Sequence, residues 1–337
     1  MLRALSALAV FLYHFRLVEQ GWLGVQVFFV ISGYLITQSI ESRPGVPRNR
    51  ILSFYGRRIR RILRPLYIYL LLVAPYIFLR YPVWIKGWVA ALTFTTNFYH
   101  LMPGFAHSRL LTHTWSLGVE EQFYLVFPFL LVLWRRNATA VLILVVLVEP
   151  LVRWQFAQLL MRTEEDRSIA VYVAGFTQLD SFAVGGLLWL HRAKIERFVS
   201  WGAIAVVFAL TVAAGFVTGT REGALWLPFL SGGQEVWGYS LVALLSGLAV
   251  VRLSKVEEGG AALRWLAFLG FYSYEFYLLH YPVREFSLRV FPETPVGNIA
   301  AAIVCFPIIV LLSVSLHRLG LQVVALLRRQ PRPDPAR

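Results

Sequence analysis

The chain is 337 residues long, 58% hydrophobic and 15% charged, with a mean hydropathy of +0.63 and a formal charge of +14. A soluble domain of this length carries roughly a quarter charged residues; this composition excludes that class, and continuous rather than alternating apolar runs exclude a β-barrel. The positive surplus falls mostly as arginine in short loops between apolar runs, the positive-inside signature and not a nucleic-acid surface, and the single cysteine, Cys305, excludes an intrachain disulfide or a thiolate metal site.

In chain order, apolar runs long enough for the roughly 30 Å hydrocarbon core lie at about 4–18, 22–40, 66–81, 84–99, 116–134, 138–158, 172–190, 198–217, 236–252, 263–283 and 298–326. The first starts almost at Met1 and carries His14, which reads as a span and not as a cleavable signal. Residues 41–64 hold eight arginines against Glu41 alone and belong in the cytoplasm. Arg135-Arg136, the stretch from His191 to Arg197, the stretch from Arg252 to Arg264 and the tail are basic too, whereas Glu164, Glu165 and Asp166 suit the outside. If 41–64 and 135–136 both face inward, one of the three runs between them fails to cross. The run 84–99, "WIKGWVAALTFTTNFY", is short and rich in threonine, and is expected to be re-entrant or to line a cavity. The reading is an all-α polytopic membrane protein of about ten transmembrane helices plus one short or re-entrant segment. Both termini are cytoplasmic, with one membrane domain over 1–327 and a basic tail over 328–337.

This topology sets the depth of the polar residues. The span starting near Ser116 runs inward, so Glu120 and Glu121 fall in its outer turns. The first span runs outward and lifts His14 about 16 Å above Arg3 at 1.5 Å per residue; the tenth carries His280 in its outer part. His14, Glu120 and His280 are therefore expected at one depth, and ionisable groups gathered inside a membrane predict a shared polar cavity. There a carboxylate would orient an imidazole for acid–base or nucleophilic work.

Each residue also has a structural reading. Glutamates in a first turn interact well with the helix dipole, and membrane histidines bridge helices. Asp180 pairs with Arg153 or Gln178, and Trp115 and Tyr124 anchor at the interface. Arg57, Arg58, Arg61 and Arg64 recur at helical spacing in "SFYGRRIRRILRPLY", a basic helix leading straight into a span. They suit lipid headgroups or a phosphorylated cytoplasmic ligand gripped by guanidinium forks; by composition that ligand is a nucleotide, an anionic lipid or coenzyme A. The histidines show no ligand spacing with a carboxylate on one helix face, so no metal is expected.

Four stretches together resemble the acyltransferase family 3 membrane proteins, the group of O-antigen, peptidoglycan, Nod-factor and macrolide acylases. "RALSALAVFLYH" is similar to the family's arginine, ten residues, histidine pattern; "GWLGVQVFFVISGYLI" looks like its second helix. The arginine cluster before Pro65 and "WSLGVEEQFYLVFP" complete the set, with "LDSFAVGGLL" and "YLLHYPV" in support. The resemblance covers nearly the whole chain. It implies about ten helices, a cytoplasmic acetyl- or acyl-CoA donor, and transfer to a hydroxyl of a sugar, glycan or small molecule outside a bacterial inner membrane. It implies His14 as the catalytic histidine, Arg3 as its motif partner, Glu120 as the signature glutamate, and Arg58 with Arg61 on the donor's phosphates. Arg64 intervenes before Pro65, so the pair is Arg58/Arg61 or Arg61/Arg64, with Arg57 beside them, and Gln178 stands where relatives often carry arginine. Trp115, Tyr124, Asp180 and His280 complete the candidate set on the acceptor side. No hydrolase-like extension is read after the last span, so the membrane domain itself is expected to engage the acceptor. Beyond acyl-CoA and the acceptor, the expected partners are membrane lipids. The rival reading is a proton-coupled secondary transporter, since intramembrane His, Glu and Asp also serve proton relays, although no inverted repeat is evident.

Overall fold

The computed structural model describes residues 1–42, 47–106, 108–159, 164–218, 234–254 and 259–329, and among them there is no strand. The basic tail beyond Arg329 and residues 43–46, 107, 160–163, 219–233 and 255–258 lie outside the described residues. The first helices are α1 (Leu2–His14), α2 (Leu23–Glu41) and α3 (Pro47–Arg58), the last running through a π-helical turn (Ile59–Leu63) into α4 (Arg64–Arg80). The basic segment and the following span are thus one rod. The π turn sits where Pro65 withholds an N–H from the helix ladder.

Between α4 and the next long helix the chain breaks up. Helix α5 (Ile85–Leu92) is eight residues, Phe94 then adopts a φ of 57°, and α6 (Thr96–Tyr99) is one turn. Eight residues cover only about 12 Å, so 84–99 is not a continuous crossing helix. There follow α7 (Trp115–Leu133), α8 (Ala138–Leu159), α9 (Glu164–Val173), α10 (Leu179–Leu190), the short α11 (Arg192–Ile195), α12 (Trp201–Thr218) and α13 (Gln234–Leu253). The last helices among the described residues are α14 (Gly260–Phe271), α15 (Ser273–Ser287) and the 35-residue α16 (Pro295–Arg329).

Among the described residues six helices are long and apolar enough to cross a membrane, and α1, α10 and α14 are shorter apolar helices. The chain is an integral membrane protein. Two expected spans are broken: 172–190 between α9 and α10, and 263–283 at Tyr272 between α14 and α15. At the first break Gln178 Nε2 donates to the carbonyls of Val171 and Tyr172, while its Oε1 accepts from Gln26 on α2. A side-chain amide therefore satisfies backbone groups that a continuous helix would have paired.

The centre of the bundle is α2 packed on α10. A Cβ on Gly33 would land on the carbonyl of Phe182, and one on Gly185 would land on that of Val30, so each glycine admits the other helix's backbone. Helix α7 closes this pair with two i, i+4 rows. Val119, Phe123 and Phe127 face α10, where Phe123 stacks on Phe182 at 3.8 Å and on Phe127 at 4.2 Å. Ser116, Glu120 and Tyr124 form the neighbouring row and face α1, α2 and α15.

Candidate active site: two cavities in one bundle

The polar residues of α1, α2, α7 and α15 line two cavities that share Val25 and Tyr277 as walls. The first is narrow and lies where α1 and α15 begin. Arg3 Nε donates to Ser273 Oγ at 3.0 Å, and Glu120, Ser116, Tyr274 and Phe28 complete the walls. Glu120 accepts from Ser32 (3.1 Å) and from the Tyr124 hydroxyl (2.9 Å), and the Arg58 guanidinium lies over the Tyr124 ring at 4.2 Å. Arg3, Arg58 and Arg61 are all within electrostatic range of Glu120. Burying a carboxylate here is tolerable because hydroxyls and guanidiniums surround it.

The arginines fan out rather than sharing one face. Arg57 donates to Ser39 and Ser53, Arg58 stacks on Tyr124, and Arg61 is within electrostatic range of Glu120 and Glu275. Arg64 lies against α16, where a Cβ on Gly320 would meet its Nε. Arg58 and Arg61 are both within electrostatic range of Glu120, and Arg64 packs on the neighbouring helix.

The second cavity, of about 200 Å³, is lined by His14, His113, Trp22, Trp115, Tyr172 and Tyr281 among others. The His14 ring is 5.0 Å from that of His280 and 4.8 Å from that of Tyr281; His113 is 5.7 Å from His280 and 5.5 Å from Tyr281. The end of α1 is held by Arg284, whose Nε donates to the His14 carbonyl at 3.1 Å and whose Nη2 reaches Asn298 at 3.0 Å. That carbonyl is one of the orphan acceptors at a helix C-terminus. Tyr277 donates its hydroxyl proton to the His113 carbonyl and exchanges a 2.6 Å hydrogen bond with Ser116, so its side chain stands on the wall shared by the two cavities.

The structure brings His14 and His280 together and separates Glu120 from both. The expectation that Glu120 shares the histidines' depth and orients an imidazole is corrected: it lies with Arg3, eleven residues down α1 from His14. The residue of this stretch at the level of the histidines is His113, and Glu120, seven residues further along, falls in the cavity of Arg3. Asp180 lines neither cavity. Its carboxylate takes Arg153 at 2.9 Å, with both side chains 0% exposed, and also Ser240 and the Ser181 N–H. Trp115 is a wall of the histidine cavity, and Tyr124 belongs to the arginine end.

Three residues of the arrangement escaped the sequence reading. His113 opens the very stretch that carries Glu120, yet nothing local marks it; Tyr277 and Arg284 flank "LLHYP" and look like ordinary helix residues. Among the described residues no group of three or more His, Cys, Asp or Glu is placed to hold a metal ion.

Comparison with known proteins gives a consistent picture. Residues 1–318 match the family described as acyltransferase domain. The chain is similar to the O-acetyltransferase OatA of Staphylococcus aureus (strain NCTC 8325 / PS 47), 27% identical over 308 residues, covering 85% of this chain and 50% of that protein. It is also similar to the peptidoglycan O-acetyltransferase OatA of Listeria monocytogenes serovar 1/2a (28% over 317 residues, 87% and 50%) and to the putative peptidoglycan O-acetyltransferase YrhL of Bacillus subtilis strain 168 (28% over 326 residues, 88% and 49%). The chain spans about half the length of these curated relatives. No solved structure matches it.

Proposed function

The chain belongs to the acyltransferase domain family, and on that premise we propose that it is a multi-pass O-acyltransferase of the bacterial cell membrane. Both termini are cytoplasmic, and it moves an acyl group from cytoplasmic acyl-CoA to a hydroxyl of a cell-wall glycan on the other side. The names of the relatives support the glycan, and the carrying observation is geometric. Arg58 and Arg61, then Arg3 with Glu120, then the 200 Å³ histidine cavity follow one another through the bundle, with Tyr277 between the last two.

In this reading the nucleotide phosphates of the donor bind Arg58 and Arg61, where charge-assisted forks are strong. Glu120 balances these guanidiniums while the site is empty and fixes Tyr124 and Ser32. The pantetheine arm rises past Tyr277 and delivers the thioester to His14. Two routes satisfy the chemistry. In one, His14 takes the acceptor hydroxyl proton as the new O–C bond forms and the C–S bond breaks. In the other, His14 attacks first, so an N–C bond replaces C–S, and the acceptor oxygen then displaces the imidazole. In both, the proton ends on the coenzyme A thiol.

The test is purified protein given acetyl-CoA and glycan fragments, read by coenzyme A release and by mass spectrometry of O-acetylated product. The expected result is turnover by the native chain and none by a folded His14→Ala variant. Acyl transfer retained by that variant would remove His14 from the mechanism.

A further inference from the structure

The wall of the histidine cavity holds a second imidazole whose tautomer the fold dictates. Pro282 lies inside α15. Proline has no N–H, so the carbonyl four residues earlier, that of Leu278, loses its helical donor. His113 takes that vacancy: its Nε2 is 3.0 Å from the Leu278 oxygen. A carbonyl only accepts, so the proton of the neutral ring sits on Nε2, and Nδ1 is left as a bare lone pair. That Nδ1 is buried and has no hydrogen-bond partner. The residue is pinned a second time through its own carbonyl, which accepts from Tyr277 at 3.1 Å. A fixed, uncharged imidazole with an unused acceptor is costly in a bundle interior unless something in its cavity completes it.

We propose that His113 is the base for the acceptor: its Nδ1 receives the proton of the incoming hydroxyl, in the same cavity in which His14 carries the acyl group. His280 also turns Nδ1 to a backbone carbonyl, that of Tyr277 at 2.6 Å, but it is not a wall of the cavity, whereas His113 is. The inference rests on the acyl-transfer reading given above and selects its two-step route. His14 attacks the thioester carbonyl, an N–C bond forms, the C–S bond breaks, and coenzyme A leaves as thiolate while the acylated ring keeps its proton. The hydroxyl oxygen then attacks that carbonyl. Its proton passes to His113 Nδ1, the N–C bond breaks, and His14 returns neutral. His113 finally releases the proton to the thiolate, so the sum is thioester plus alcohol giving ester plus thiol.

The experiment compares two nucleophiles in the purified full chain: a glycan hydroxyl, which must lose a proton as it attacks, and hydroxylamine, whose neutral nitrogen attacks without that help. His113→Gln keeps an N–H for the Leu278 carbonyl and removes the basic nitrogen; His113→Asn is the second variant, and each is first checked for a cooperative melt. The expected result is a fall of about 10²–10⁴-fold in transfer to the hydroxyl, the usual span for a general base, with enzyme-dependent hydroxamate formation within about threefold of the native protein on the same reasoning. Equal loss of both activities, or loss of neither, overturns the proposal. A native chain that releases no coenzyme A with either nucleophile overturns the acyl-transfer reading itself.

Discussion

Replacing Asp180 by asparagine tests whether the carboxylate of "LDSF" holds the fold or meets substrate. Arg153 donates through Nε to the Val236 carbonyl (2.9 Å), through Nη1 to that of Thr177 (3.0 Å), and through Nη2 to Asp180 (2.9 Å) and Ser240. Neither partner has any solvent exposure. Asparagine keeps the shape and removes the charge, stranding a buried guanidinium; losing one partner of such a pair costs about 3–5 kcal/mol. The double variant Arg153→Leu with Asp180→Leu removes both charges of the pair and leaves Glu149 as the neighbouring buried carboxyl, still accepting from the Leu179 N–H. It forfeits chiefly the two hydrogen bonds to carbonyls, at about 1 kcal/mol each, so its total loss of about 2 kcal/mol is smaller than that of the single change. Denaturant unfolding in one detergent, followed by tryptophan fluorescence, measures all three proteins against the native chain. Activity per folded molecule should stay within a few-fold throughout. An Asp180→Asn protein unfolding within about 1 kcal/mol of the native chain, but with acceptor KM raised tenfold or more, would refute the structural assignment and return Asp180 to the substrate site.

Arg58→Ala and Arg61→Ala should each weaken acyl-CoA binding by about 10- to 100-fold, the loss of one charge-assisted contact, while Arg64→Ala, directed at α16, leaves it nearly unchanged; calorimetry with a non-hydrolysable acyl-CoA analogue decides this, and equal effects of all three would return the cluster to topology alone. Gly185→Ala should destabilise the bundle by about 1–3 kcal/mol, as overpacking does, because its Cβ would meet the Val30 carbonyl; a thermal melt indistinguishable from the native chain's would disprove the close approach of α2 and α10. Glu120→Gln is expected to change acyl-CoA affinity, measured by the same calorimetry, and to spare the rate at saturating donor. A collapse of that rate with unaltered affinity would put the carboxylate back beside the imidazole.

The sequence by itself determined the membrane class, the positions of α2, α7, α8, α13 and α16 to within a few residues, and the basic helix running into α4. It also determined that 84–99 is too short and too polar to be an ordinary span. These follow from sums of local transfer free energies and from arginine counts, which need no knowledge of neighbours. The family motif likewise brought His14, Glu120 and the arginines into view, but not their arrangement. Depth along a helix depends on where that helix begins. His113 and Trp115, where α7 begins, stand at the histidine cavity, so Glu120 further along the helix falls with Arg3. The breaks before α10 and at Tyr272 depend on remote partners, such as Gln26 for Gln178. His113 became legible only when tertiary structure set it against the carbonyl that Pro282 had vacated 165 residues later in the chain. A hydrogen-bond vacancy is written locally, but which side chain fills it is decided by packing.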